Sequence, residues 1–317
     1  MKIANHQQIF LADLPTPLEC LDNLSRQCGA KIYVKREDLT GHGFGGNKER
    51  MLDFIMAEAL KKKAKSVVTV GSLQSNHCRL VAVFCNKFNI KAELILIKDK
   101  ALKDKTNYLF CKLLGANIHL VEKNDVKNAI SKIINRLQSK GERPYFIEGG
   151  GHNVLGALSY VNALKELKGQ TDKLGISPKH LFLPVGTGTT YAGLLLGKEI
   201  FNYDIEIIGI SIARKKEKCI NEIDSLINQT KKYLRINKDG LDKKIIINDN
   251  YIGEGYGIST ARSKRAIKLL AEQEGLFIDP VYNAKAVGGM LDIILKEKLK
   301  GAMIYLNTGG LPICYNK

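Results

Sequence analysis

No apolar run in this sequence approaches the length that crosses a bilayer, and the opening residues, MKIANHQQIFLADLPTP, lack the unbroken apolar core of a secretory signal. Both absences lead us to expect a soluble cytoplasmic protein. Paired cysteines are missing too: the seven present are odd in number, none forms Cys-x-x-Cys, and none has a histidine at metal-ligand spacing. That favours a reducing compartment and no metal centre. There is no fixed-period repeat and no low-complexity tether, so any division into domains must come from the fold.

Acidic residues are scarce, 32 against 49 lysines and arginines, which leaves a formal charge of +17. Such a surplus can mark a nucleic-acid binder. The lysines are scattered, however, in clusters such as KKKAK (61–65), KDKALKDK (98–105) and ARKKEK (213–218), often beside acids. Neither zinc-finger spacing nor a ribonucleoprotein aromatic motif accompanies them. A solvated basic surface that attracts small anions is the expected reading, with neither nucleic acid nor membrane as partner.

What is present is a globular composition, 317 residues with 44% hydrophobic content, enough for two sizeable cores. Short apolar runs alternate with helical periodicity, the pattern of a parallel α/β architecture. Strands are expected at 65–71, 92–98, 117–121, 145–148, 181–186, 205–212, 244–248 and 302–307. Between them, the segment after Lys48 places Leu52, Ile55, Met56, Ala59 and Leu60 on one helix face. The segment after His77 does the same with Leu80, Val81, Phe84, Cys85 and Phe88.

Three stretches carry chemistry. GHGFGGNKERMLDF crowds four glycines ahead of Lys48, an entropic cost that needs a reason. In LFLPVGTGTTYAGLLLG a strand ends at Val185, the loop Gly186, Thr187, Gly188, Thr189, Thr190 follows, and a helix is expected near Tyr191. Small residues, hydroxyls and a helix N-terminus suit an oxyanion such as phosphate. The loop has neither the Gly-Lys-Ser/Thr ending of a nucleotide P-loop nor a clean dinucleotide turn, so a plain tight turn stays open. In VVTVGSLQSNHCRLVAVF, Ser75, Asn76 and His77 begin a helix after a strand, where they either cap it or receive a carboxylate. A lysine held by glycines, a phosphate cradle and a carboxylate site at one sheet end together suit pyridoxal phosphate, whose aldehyde forms a Schiff base with lysine.

The blocks LPTPLE (14–19), YVKREDL (33–39), GGNKERMLDF (45–54), QSNHCR (74–79), GTGTTYAGLLLG (186–197), EGYG (254–257), DPVYNAKAVGGM (279–290) and NTGGLP (307–312) resemble, in order, the motifs of one family. It is the 1-aminocyclopropane-1-carboxylate deaminase and D-cysteine desulfhydrase family, pyridoxal-phosphate enzymes of the tryptophan-synthase-β fold type (fold type II). The resemblance covers the chain from about Leu14 onward. It implies that Lys48 carries the cofactor and shuttles the substrate Cα proton, with Gly45 and Gly46 clearing space for the cofactor. Asn76 would bond the cofactor's ring hydroxyl oxygen, and Ser75, Asn76 and His77 would receive the carboxylate of a small amino-acid substrate. Ser75, Tyr256 and Tyr282 would face the substrate as catalytic groups, and Thr308 would set a neutral hydroxyl near the pyridine nitrogen.

The resemblance also bears on the reaction. Deaminases of the family show Tyr-Glu in the DPVY motif, whereas this chain has Tyr282 followed by Asn283. That favours β-elimination from D-cysteine, with the cyclopropane substrate and L-cysteate as alternatives. A catalytically silent cofactor-binding relative and a basic nucleic-acid binder also remain open. His152 stands where relatives show a small hydroxyl residue; it is read as touching substrate or solvent, or as a surface or capping residue, outside the catalytic set. Cys78 and Cys314 are read as packing residues. The architecture expected is two open, parallel-type α/β sheets. Residues 1–50 and 159–317 would form a large cofactor-binding domain and 51–158 an inserted smaller one, with the cofactor between them. A homodimer is implied by the resemblance alone.

Overall fold

The computed structural model describes residues 7–98, 105–236 and 244–315. Most of the lysine stretch 98–105 and the side chain of Cys314 lie outside what is described. In chain order the elements begin β1 (Leu18–Cys20), α1 (Asp22–Cys28), β2 (Lys31–Arg36), α2 (Asn47–Lys61), β3 (Ser66–Ser72), α3 (Asn76–Lys87) and β4 (Lys91–Ile97). They continue with α4 (Thr106–Leu113), β5 (Asn117–Val121), α5 (Val126–Ser139), β6 (Pro144–Ile147), α6 (Val154–Lys173) and β7 (His180–Val185). The last are α7 (Thr189–Ile200), β8 (Glu206–Ser211), α8 (Lys216–Leu234), β9 (Ile246–Asn248), α9 (Ala261–Glu274), α10 (Asn283–Lys296) and β10 (Ala302–Asn307).

Two sheets result. One runs β1-β2-β10-β7-β8-β9, the other β5-β4-β3-β6. Every pairing is parallel except that of β1 with β2. All eight expected strands form, and the apolar runs of the central ones, such as β4, β7 and β10, are explained by burial of both faces. The two strands not foreseen are β1 and β2. The first is only three residues long. The second, KIYVKR, buries Lys35 beside Ile32 and Val34, so its alternation is broken by a charge.

Lys35 can be buried because its ammonium donates to Glu166, to the Gln170 side chain and to the Thr16 carbonyl. Glu166 also pairs with Arg50, and Arg50 holds Glu37 through Nε at 2.9 Å and Nη2 at 2.8 Å. This balanced set of two cations and two anions ties β2, α2 and α6 together. It also corrects the picture of α2 as a one-faced helix: Arg50, Asp53 and Phe54 are buried along with Leu52, Ile55, Met56 and Ala59. The helix is enclosed between α3 and α6. By contrast α3 follows expectation, with Leu80, Val81, Phe84 and Cys85 inside.

Cys78, Cys85, Cys111 and Cys219 are buried thiols, and the six cysteines whose side chains are described are all free. No helix among the described residues is long and apolar enough to cross a membrane. The carboxyl ends of β3, β7 and β10 all open onto one cleft of about 510 Å³ between the two sheets, the usual place for a ligand in an open α/β fold.

Candidate active site

Every residue nominated from the sequence lines this cleft: Lys48, Ser75, Asn76, His77, the 186–190 loop, Tyr256, Tyr282 and Thr308. Lys48 is the second residue of α2, and the turn before it is built backbone against backbone. The Asn47 N–H donates to the Thr308 carbonyl at 3.1 Å, and Asn47 Nδ2 donates to Thr190 Oγ1 at 3.0 Å. The loops after β10 and β7 are thus fastened to the residue preceding the lysine.

The glycines are required by that closure. A Cβ on Gly45 (φ +60°) would lie 2.4 Å from the Asp38 carbonyl oxygen, and one on Gly46 (φ +116°) 3.1 Å from that of Thr308. Backbone of the protein itself fills the space a side chain would need. At the other end of the side chain, Lys48 Nζ donates to the Gly150 carbonyl at 2.9 Å and lies 3.8 Å from Met51 Sδ. Burial holds its amine well below the ordinary lysine value, at about 8. No carboxylate lines the cleft among the described residues.

The strand-to-helix turn after β7 is tighter than the sequence suggested. Gly188 (φ +86°) is itself the N-cap, so α7 starts at Thr189 and not near Tyr191. Thr189 and Thr190 therefore sit in the first turn, where backbone N–H groups have no intrahelical partner. Together with the Thr187 and Thr189 hydroxyls, 3.0 Å apart, they form a concave donor set at the positive end of a helix. Tyr191 is buried and closes the base of the turn by donating to the Ile207 carbonyl at 2.8 Å.

At the start of α3, Ser75 does cap the helix, its Oγ accepting from Cys78 N at 3.1 Å. The same residue lines the cleft. Asn76 is clamped: its Oδ1 accepts from Arg79 Nη1 at 2.7 Å and from Asn107 Nδ2 at 2.9 Å, which leaves its own NH₂ to face Gly310. Arg79 and Asn107 are buried and also bind one another at 2.7 Å. Nothing local in the sequence marks Asn107, thirty-one residues away from Asn76.

The His77 side chain is turned away from a carboxylate role. Thr69 gives its only hydroxyl hydrogen to the Ile147 carbonyl at 2.8 Å, so the His77 Nε2 contact at 3.0 Å must be imidazole donating to Thr69. The other ring nitrogen, Nδ1, is buried without a partner and carries only a lone pair. Burial, aided by the Lys48 charge, pushes this imidazole down to about 3. A neutral ring turned back onto β3 offers a carboxylate nothing; what residue 77 can offer is its backbone N–H in the first turn of α3.

Tyr256 and Tyr282 come from distant segments and meet hydroxyl to hydroxyl at 2.5 Å, their rings edge to face with centroids 6.0 Å apart. Burial raises both phenols, Tyr282 well above the ordinary value, so both keep their protons at neutral pH. The next residue, Asn283, is fully engaged. Its Nδ2 donates to Asp279 Oδ1 and to the Gly309 carbonyl, each at 2.7 Å. Its Oδ1 accepts from Tyr305 at 2.6 Å and from Thr308 N at 3.0 Å. Asp279 in turn accepts from the N–H groups of Val281, Tyr282 and Asn283, so its charge is turned inward onto the 279–283 turn.

A buried amine poised to be neutral, a donor-lined oxyanion cradle, a clamped amide and a free helix start all stand around one cleft. These are the parts that pyridoxal phosphate requires, and the residues present fit it. The family model described as pyridoxal-phosphate dependent enzyme matches residues 9–309. The chain belongs to this family.

Among curated relatives, the enzyme is 35% identical over 313 residues to a Pyrococcus abyssi protein named "Putative 1-aminocyclopropane-1-carboxylate deaminase", covering 98% of this chain and 93% of that one. It is 31% identical over 322 residues to D-cysteine desulfhydrase of Serratia proteamaculans, covering 99% and 97%. Among solved structures, that of an ACC deaminase homologue superposes with a TM-score of 0.90 at 32% identity, over 98% of this chain and 94% of that one. The two sheets are accordingly those of the tryptophan-synthase-β fold type, and the cofactor is pyridoxal phosphate.

Proposed function

We propose that this enzyme eliminates hydrosulfide from D-cysteine, yielding pyruvate and ammonia after water addition. The observation that carries the proposal is Asn283. Its neutral amide is held between Asp279, Gly309, Tyr305 and Thr308, so the group nearest Thr308 brings no negative charge to the position the ring nitrogen would take. Bound pyridoxal phosphate supplies an electron sink conjugated to the substrate nitrogen, which acidifies Cα–H and lets a β-substituent depart. A neutral partner at the ring weakens that sink, which suits a substrate with an acidic Cα–H and a good leaving group better than a cyclopropane lacking both.

In this reading the first N–H groups of α3 and the Ser75 hydroxyl hold the substrate carboxylate. Lys48, with an amine at about 8, takes the Cα proton in its neutral form. Tyr256 and Tyr282 share one hydrogen between them, which leaves one phenolic hydrogen free to protonate the departing sulfur. Asn76 bonds the cofactor's ring oxygen through its free NH₂, and the loop from Gly186 to Thr190 takes the phosphate. We read residues 51–158, which contain the whole four-stranded sheet, as the inserted domain that forms one wall.

The curated relatives support 1-aminocyclopropane-1-carboxylate as substrate equally well. The deciding experiment incubates the cofactor-loaded enzyme with D-cysteine, L-cysteine, L-cysteate and the cyclopropane substrate in parallel, with sulfide, sulfite, keto acid and ammonia measured. Sulfide and pyruvate from D-cysteine support the proposal. Ammonia and 2-oxobutyrate from the cyclopropane with no sulfide from D-cysteine would replace it.

A further inference from the structure

We propose that His152 is a positioning residue that aims the Thr187 and Thr189 hydroxyls at the cofactor phosphate. The inference rests on reading the 186–190 loop as the phosphate cradle. His152 leaves the glycine turn 149–151 just before Asn153, the N-cap of α6. Its Nδ1 lies 3.0 Å from Thr189 Oγ1, and Thr189 Oγ1 lies 3.0 Å from Thr187 Oγ1. The two loops are in close contact: a Cβ on Gly150 (φ +74°) would stand 2.9 Å from Thr187 Cγ2. The same Gly150 accepts from Lys48 through its carbonyl, so one short turn touches both the amine and the cradle.

The direction of this chain follows from counting hydrogens. Each threonine hydroxyl has one hydrogen and two lone pairs, and a neutral imidazole has one N–H. If Nδ1 accepts, the Thr189 hydrogen goes to it and the Thr187 hydrogen can go to Thr189. An anion in the cradle then meets the Thr189 lone pair and has at most the Thr187 hydrogen to accept. If Nδ1 carries the hydrogen and donates, Thr189 is free to pass its own hydrogen to Thr187 or to the anion, and Thr187 points its hydrogen into the cleft. The second arrangement frees both hydroxyl hydrogens for a phosphate, the first at most one. Burial holds His152 below the ordinary imidazole value, with Glu222 and Glu148 opposing and Arg214 and Lys48 assisting. The ring is thus neutral near pH 7, and the choice lies between its two tautomers. An anion in the cradle selects the Nδ1–H form.

The test titrates the cofactor-free full-length enzyme with pyridoxal 5'-phosphate and, separately, with pyridoxal, following visible absorbance. The wild type is compared with His152→Ala, His152→Asn and His152→Asp. Asparagine puts an NH₂ donor close to the place of Nδ1, and aspartate puts an acceptor there. His152→Ala is expected to weaken the phosphate ester about tenfold, the worth of one hydrogen bond in a charged chain. His152→Asn is expected to restore most of that loss and His152→Asp to exceed it, while pyridoxal binding stays unchanged throughout. Histidine-ring nitrogen NMR of the loaded enzyme is expected to show His152 Nδ1 protonated.

Equal losses for asparagine and aspartate, equal losses for pyridoxal, or an unprotonated Nδ1 would overturn the assignment. Thr187→Val and Thr189→Val separate the two levels. If they leave binding of the phosphate ester intact, the cradle reading itself fails. If they weaken it and His152→Ala does not, only the role of His152 fails.

Discussion

Glu37→Gln is the perturbation whose size the structure sets most directly. Glu37 is fully buried, and both its oxygens face donors only: Arg50 Nε and Nη2, Thr16 Oγ1 at 2.7 Å and the Tyr160 hydroxyl at 2.7 Å. An amide in its place turns NH₂ toward one of those donors and leaves Arg50 and Lys35 with Glu166 as their remaining anion. Breaking a buried pair in this way costs about 3–5 kcal/mol. The pH dependence gives a second number. Burial opposes ionisation of Glu37, but Arg50, Lys35 and Thr16 outweigh it and hold the carboxyl at about 2, below the ordinary 4.5. A depressed carboxyl contributes stability that is present above the unfolded value and lost as pH falls toward the folded one. Between those limits each pH unit removes about 1.4 kcal/mol. Urea unfolding of both proteins at pH 6.5 and 3.5 should give a gap of about 3–5 kcal/mol that narrows by about 1.4 kcal/mol at the lower pH. Groups titrating in both proteins cancel. A gap below about 1 kcal/mol at pH 6.5, or one that does not change with pH, would refute the account of this network.

Other expectations follow from the site. Lys48→Ala should abolish the absorption band of lysine-bound pyridoxal phosphate, and in the wild type the rate of cofactor uptake should rise as pH climbs through about 8, since only the neutral amine attacks an aldehyde; stopped-flow absorbance checks both. Asn283→Asp sets a second carboxylate against Asp279, whose burial already raises it to about 6, so its stability deficit should grow by about 3 kcal/mol between pH 5 and pH 8 in urea unfolding. Gly45→Ala, with its Cβ 2.4 Å from the Asp38 carbonyl, should cost about 3 kcal/mol or more and weaken cofactor binding. Gly115→Ala has a similar φ of +71° but nothing within 4 Å, and should cost only about 1–2 kcal/mol by the same thermal or urea measurement.

Much of the fold was legible along the chain because parallel strands read as short apolar runs, and the eight such runs all became strands. The cleft was legible too, since glycines, hydroxyls and a lysine at strand ends are local signals. Only the tertiary structure decided the rest, because it depends on partners far apart in sequence. The strand β2 hides behind a buried Lys35 whose anion comes from α6. The His77 ring donates to Thr69 because Thr69 has already given its hydrogen to Ile147. Asn76 is aimed by Asn107 and Arg79, and His152 reaches Thr189 across thirty-seven residues. The sequence alone nominated a set of groups that all line the cleft. Which way each one points was settled by hydrogen-bond partners that the folding chain brings together from several elements.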